Sequence, residues 1–205
     1  MEDVATLLGI GFLLGFKHAL EPDHVIAVST MVGKHKSTLK SSFLGLFWGI
    51  GHTLTLLVVF LLLSVMDTRI PGSWEMTFEI IVGLMLIYLG FSSFSASKSY
   101  KVRKDKGSEN HLILKSMFIG QIHGLAGSAA MTLLLVSMVT TFSDSLVYIG
   151  LFGIGTILGM LVFTVILSIP YRISSGKYKM NHFLHTAASV ISITYGVWYI
   201  YAIAG

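Results

Sequence analysis

His18, Glu21, Asp23 and His24 lie within one seven-residue stretch of the run Gly15-Phe-Lys-His-Ala-Leu-Glu-Pro-Asp-His24, with Lys17 beside them. Imidazole nitrogen plus carboxylate oxygen, without thiolate, is a donor set for borderline divalent metal ions. The flanking residues are apolar and read as a membrane-spanning helix. At a bilayer centre each charged group costs roughly 2.5–3.5 kcal/mol on insertion scales. Such a cluster persists where it faces a cavity, a partner or an ion. The run therefore points to a metal ion handled inside a membrane.

On an ideal helix His18 and Asp23 are five residues apart and His18 and His24 six, well off a shared face. Pro22 alters this: it removes an amide donor and crowds the carbonyl of His18. A break at Leu20–Asp23 would turn all three side chains to one point and free backbone carbonyls towards them. Two more histidines lie at matching depth. His18, His52 and His123 each sit roughly 16–21 Å into an apolar stretch at 1.5 Å per residue, near the middle of a ~30 Å core. Three helices can thus contribute imidazoles to one layer. Backbone nitrogen, including the amine of Met1, is a further donor for a planar nickel site.

The remaining polar residues carry duller readings. Glu21 can be a ligand, a proton acceptor or a partner for Lys17, and the ion pair is favoured. A single buried histidine such as His52 or His123 often just hydrogen-bonds a neighbouring helix. His182 and His185 read first as interfacial residues and second as a cytoplasmic metal relay. His35 and His111 read as solvated loop residues. Ser128 and Thr132 read first as interhelical hydrogen-bond donors and second as groups that orient ligands from behind. Thr53 and Thr55 read as interhelical donors, and the ten methionines as packing.

Of the 205 residues, 54% are hydrophobic and 12% charged, about half the charged fraction of a soluble domain. That composition predicts an all-α membrane protein, a single polytopic domain over residues 1–205. The start Met-Glu-Asp lacks the basic region of a cleaved signal peptide. Cysteine is absent, which excludes a thiolate metal site. Six apolar stretches stand out, near 4–31, 41–65, 75–97, 111–140, 145–169 and 182–204. Twelve of the fourteen Lys/Arg fall in three connectors, 32–40, 98–115 and 170–181. The positive-inside rule puts those connectors in the cytoplasm and both termini outside. The basic residues sit in short loops between apolar spans, so the net charge of +4 is no sign of nucleic-acid binding.

The halves, about 1–100 and 108–205, repeat each other. Gly120-Gln-Ile-His123-Gly-Leu125 echoes Gly15-Phe-Lys-His18-Ala-Leu20 at an offset of 105, and Phe152-Gly-Ile-Gly155 echoes Trp48-Gly-Ile-Gly51 at 104. Tyr88-Leu-Gly90 and Thr194-Tyr-Gly196 give a weaker third match. Three spans per half is an odd number, so the second half enters the membrane from the opposite side. The expectation is a three-plus-three inverted repeat of six transmembrane helices, the first broken near Pro22. Substrate sites in such transporters lie near the midplane, at interrupted helices.

His18-Ala-Leu-Glu-Pro-Asp23-His24 resembles the signature of the nickel/cobalt transporter family, a His, four residues, then Asp-His. Phe47-Trp-Gly-Ile-Gly51-His52-Thr53 is similar to that family's second motif, and Gly159-Met160 with Thr164 to a fragment of its last. The run His123-Gly-Leu-Ala-Gly-Ser128 resembles the compact urease-associated branch, where it replaces an acidic third motif. The chain departs from longer members in lacking that acidic motif, in having six spans rather than eight, and in a lysine-rich linker. The resemblance covers most of the chain. It implies transport of Ni²⁺ or Co²⁺ as cargo, with no resident cofactor, through His18, Asp23, His24 and His52. It also implies a functional link to urease or another nickel enzyme. No Gly-x4-Gly-Lys-Ser/Thr motif is present, so the chain is read as a secondary transporter that imports, not as an ATPase. The runner-up is a small-anion or small-solute exporter of the same architecture, dependent on Lys17. An intramembrane metalloenzyme would need a His-Glu-x-x-His motif, and none is present. No enzymatic activity is expected.

Overall fold

The computed structural model describes residues 2–32, 38–66, 71–98, 113–126, 141–174 and 176–205. Every regular element among them is a helix: α1 Glu2–His18, α2 Pro22–Val32, α3 Thr38–Met66, α4 Gly72–Lys98, α5 over 113–126, α6 Phe142–Ile173 and α7 Tyr178–Ala204. The chain is therefore all-α, and α3, α4, α6 and α7 are long and apolar enough to cross a membrane. His35, His111, Ser128, Thr132 and most of the 98–115 linker lie outside the described residues.

The helices sort their side chains by a four-residue step. On α3, Trp48, His52 and Leu56 are buried, while Leu54, Val58, Leu62 and Val65 face outward, Val65 at 84% exposure. On α6, Tyr148, Phe152, Thr156, Met160, Thr164 and Ser168 form the inner stripe, and Ile154, Leu158, Val162 and Ile166 the outer one. An outer surface this apolar suits hydrocarbon, whereas a water-soluble monomer rarely exposes patches of more than a few hundred Å². The inner stripe carries the polar groups, which is the arrangement membrane bundles require.

The expected stretch 4–31 is two helices. α1 ends at His18. The Leu20 amide donates to the Lys17 carbonyl (2.9 Å) and the Glu21 amide to the His18 carbonyl (3.0 Å), so the chain tightens into i to i+3 bonds. The Val25 amide then donates to the Glu21 carbonyl (3.1 Å) and α2 begins. The break thus covers residues 19–21, slightly before the expected 20–23. Pro22 occupies the first position of α2, where its missing N–H is lost to the helix anyway.

A second difference concerns Pro170. It was expected to open a connector, but α6 runs through it to Ile173. A proline in the last turn removes one bond to the carbonyl four residues back, a local loss. The Pro170 carbonyl then accepts from the Ser174 amide at 3.0 Å.

Glycine sets the distances between helices. α1 lies on α6, where Gly15 meets the Phe152 backbone and Gly155 meets the Phe12 backbone. α3 lies on α5, where Gly120 meets the Trp48 backbone and Gly51 the Met117 backbone. α3 also crosses α6, with Gly49 at Ile157 and Gly153 at Thr53. α4 lies on α7: a Cβ on Gly90 would sit 2.8 Å from the Ser189 carbonyl oxygen, and one on Gly196 2.8 Å from that of Gly83. These contacts come in exchanged pairs, Gly15–Phe152 with Gly120–Trp48, Gly155–Phe12 with Gly51–Met117, Gly49–Ile157 with Gly153–Thr53, and Gly90–Ser189 with Gly196–Gly83. Both partners of each pair shift by 104 to 106 residues. α2 packs among α3, α4, α6 and α7.

The close approaches make a graded prediction. Gly15→Ala and Gly120→Ala each place a methyl group against backbone that cannot rotate away, and overpacking of this kind costs about 1–3 kcal/mol. Gly150 has open space around its Cβ position, so Gly150→Ala should be neutral or stabilising by up to about 1 kcal/mol. Thermal denaturation in detergent checks the order. Equal melting temperatures for all three variants would contradict the packing described.

Candidate metal centre

The break between α1 and α2 decides where the polar side chains go. His18 leaves the last turn of α1, and Asp23 and His24 leave the first turn of α2. His52 arrives from the middle of α3 and His123 from α5. All four imidazoles meet. The His18 and His24 ring centres are 4.6 Å apart, His24 and His52 5.1 Å, and His24 and His123 are stacked at 4.0 Å. His24, His52 and His123 are buried.

The hydrogen bonds define which nitrogens face inward. His18 Nδ1 lies 2.9 Å from Glu21 Oε2, and an N–H donated there leaves Nε2 to point at His52 Nε2, 3.2 Å away. At that distance an N–H on one nitrogen faces the lone pair of the other, and an ion binding both nitrogens would displace that proton. His24 Nδ1 lies 3.0 Å from Asp23 Oδ1, and His123 Nε2 lies 2.7 Å from Asp23 Oδ2. The His24 amide also donates to Asp23 Oδ1 at 2.9 Å. With these N–H groups directed at carboxylates, His24 Nε2 and His123 Nδ1 are left as lone pairs.

Three imidazole nitrogens, His24 Nε2, His52 Nδ1 and His123 Nδ1, are buried without a hydrogen-bond partner among the described residues. Each unpaired buried polar atom costs about 1–3 kcal/mol. A fold that gathers several such nitrogens beside a carboxylate-bearing set offers donors to something not in the chain. Two sets of donor atoms lie within 4.8 Å of one another: His18, His24 and His52, and Asp23, His24 and His123. His24 belongs to both.

Of the residues singled out in the sequence, the structure brings together His18, Asp23, His24, His52 and His123, with Glu21 at the rim. Glu21 does not pair with Lys17 as expected; its described partner is His18, because the tight turn at 19–21 folds the carboxylate back over Nδ1. Lys17 is exposed at the end of α1. His182 and His185 stand apart from both sets. His182 stacks on Tyr178 (ring centres 5.8 Å), while His185 lies 3.5 Å from Ser93 Oγ and 5.2 Å from the Tyr171 ring. Two walls of the site went unrecognised in the sequence: Phe152 lies 5.5 Å from His18 and Trp48 5.7 Å from His123. Their signal was present, since Trp48 and Phe152 occupy equivalent places in the repeated Gly-Ile-Gly motif.

An all-helical chain with apolar outer surfaces and a buried histidine–carboxylate cluster is a membrane-type protein with a candidate metal centre. The chain is 43% identical over 212 residues to the urease accessory protein UreH of Bacillus sp. (strain TB-90), covering 97% of this chain and 92% of that protein. It therefore belongs to the UreH family of urease accessory proteins. It is also 25% identical over 210 residues to the chloroplast protein FOR GROWTH AND FERTILITY 2 of Arabidopsis thaliana, spanning 95% of this chain but 56% of that protein. No family model matches the chain, and no solved structure does.

The Glu21–His18 contact makes a prediction of its own. Partners that orient a metal-ligating imidazole typically set 10–100-fold in affinity. Glu21→Gln should weaken Ni²⁺ binding by about that factor, whereas Lys17→Gln should change it less than about threefold. Calorimetric titration checks both. Equal effects would show that Glu21 acts through surface charge, not through His18.

Proposed function

We propose that this protein is a secondary transporter that carries Ni²⁺ or Co²⁺ across the cell membrane, inward, through the centre formed by His18, Asp23, His24, His52 and His123. The observation that carries the reading is the set of buried, unpartnered imidazole nitrogens on His24, His52 and His123, within two donor sets that meet at His24. Neutral helix packing has no use for four imidazoles and a carboxylate in one layer. The donor chemistry suits nickel and cobalt, and the relationship to a urease accessory protein agrees with a cargo destined for a nickel enzyme.

The architecture in this reading is one domain over residues 1–205, built as a three-plus-three inverted repeat of six spans. α1 with α2, α3 and α4 fall in the first half; α5, α6 and α7 fall in the second. The exchanged glycine contacts support it, because a two-fold axis in the membrane plane converts each contact into its partner. The site then lies where such transporters place it, beside an interrupted helix. The basic connectors support cytoplasmic loops and outward termini. A single cysteine at Ser143 should react with an impermeant thiol reagent from outside intact cells. Reaction only after permeabilisation would reverse the orientation.

The chemistry of binding follows from the hydrogen bonds. An arriving dication meets Glu21 at the rim, displaces the proton between His18 and His52, and gains the unpaired nitrogen of His24. Asp23 supplies negative charge that offsets part of the ion's desolvation. Without a nucleotide-binding motif, the driving force is the membrane potential or a proton gradient.

The anion-exporter reading would centre on Lys17, which lies outside both donor sets. Proteoliposomes loaded with the protein and offered Ni²⁺, Co²⁺, Zn²⁺ and sulfite separate the two. The expected result is uptake of Ni²⁺ or Co²⁺, reduced at least about tenfold in His18→Ala, Asp23→Ala and His24→Ala. Sulfite movement that depends on Lys17 and survives His24→Ala would overturn the metal reading.

A further inference from the structure

The five candidate ligands do not fall into one coordination sphere. Ligand atoms bound at about 2.0–2.2 Å to a common ion lie at most about 4.4 Å apart. His18 and His52 cluster with His24 on one side, and Asp23 and His123 cluster with His24 on the other; no set spans all five. His24 faces both ways. Its Nδ1 is turned to Asp23 at 3.0 Å, and its Nε2 is buried without a partner among the described residues. Each set has one partly exposed member, His18 at 12% and Asp23 at 15%, and the side of His18 also carries Glu21, 51% exposed, at its edge.

We propose that the centre is two overlapping stations that share His24 and are filled in turn. This rests on the metal-transport reading above. The first station is His18, His24 Nε2 and His52, a set of three nitrogens. The second is Asp23, His24 Nδ1 and His123, which adds a carboxylate. An ion entering past Glu21 meets the first station. It passes to the second as His24 Nε2 releases it and takes up a proton while Nδ1 loses the one directed at Asp23, so the ring changes tautomer. The two nitrogens of one imidazole point apart, so the ion changes sides of the ring, and repulsion between two dications a few ångström apart keeps the stations from being filled together. The carboxylate in the second station offsets part of the ion's lost hydration there.

The stations make opposite demands on His52 and His123, and that separates them from a single five-residue site. The full chain, purified in detergent, is titrated with Co²⁺, and the ligands are read from its visible spectrum and from X-ray absorption. Asparagine and glutamine are both introduced at each position, so that a misfolded variant leaves its counterpart to give the ligand set. Wild type should bind one Co²⁺ per chain. His52→Asn should keep binding within about tenfold, with a carboxylate and two imidazoles on the ion. His123→Asn should keep binding within the same factor, with three imidazoles and no carboxylate. Each should lose uptake by at least about tenfold, and His24→Asn should lose binding by more than about a hundredfold. Identical ligand sets in the His52 and His123 variants, or two Co²⁺ bound at once by wild type, would overturn the two-station proposal while leaving metal transport standing. A wild-type protein that binds neither Co²⁺ nor Ni²⁺ would sink the transport reading itself.

Discussion

Everything at the centre of this molecule depends on the interruption of one helix. Residues 19–21 replace two α-type bonds with i to i+3 bonds, and Pro22 restarts the helix. Without that change of direction, His18 would project roughly 140° from Asp23 and 120° from His24 at 100° per residue. With it, His18 reaches His52, Asp23 reaches His123, and His24 lies between them. The interruption is affordable because it sits among other helices, where backbone groups have protein rather than lipid as neighbours. Its polar contents face inward for the same reason.

Glycine packing is the second half of the account. Four imidazoles can share one layer only if the helices that carry them come close. The approaches of α1 to α6 and of α3 to α5 run through Gly15, Gly155, Gly51 and Gly120, each against bare backbone. Two aromatic side chains then close the cluster at equivalent positions, Phe152 beside His18 and Trp48 beside His123. Thr156 binds the structure together one turn away, donating to the Gly15 carbonyl at 3.1 Å. The same residues that bring the helices together thus fix the depth at which the histidines meet.

Much of this was legible in the sequence. Charge and imidazole inside an apolar stretch are expensive, so His18, Asp23 and His24 announced themselves, and equal depth along their stretches linked His52 and His123 to them. The proline placed the break to within a residue or two. What was not legible has a common cause: it depends on where a side chain turns after the backbone is set. Glu21 was assigned to the neighbouring Lys17 on charge alone, and the tight turn gives it to His18 instead. Pro170 carries the usual signal for a helix end, yet α6 continues one more turn to Ile173, and the Tyr171 hydroxyl in that turn donates to the Ser29 carbonyl of α2 at 3.1 Å. The division of five ligands into two sets through His24 is likewise a matter of ring orientation, which spacing does not encode.

The most direct measurement of the central claim is calorimetric titration of Ni²⁺ into Pro22→Ala beside wild type. Alanine restores an amide donor at position 22 and favours one continuous helix, a gain of up to about 3 kcal/mol on propensity grounds. The account expects melting at an equal or higher temperature together with Ni²⁺ affinity lower by at least tenfold, about 1.4 kcal/mol. A variant that retains wild-type affinity would contradict it, because the convergence of His18, Asp23 and His24 would then owe nothing to the broken helix.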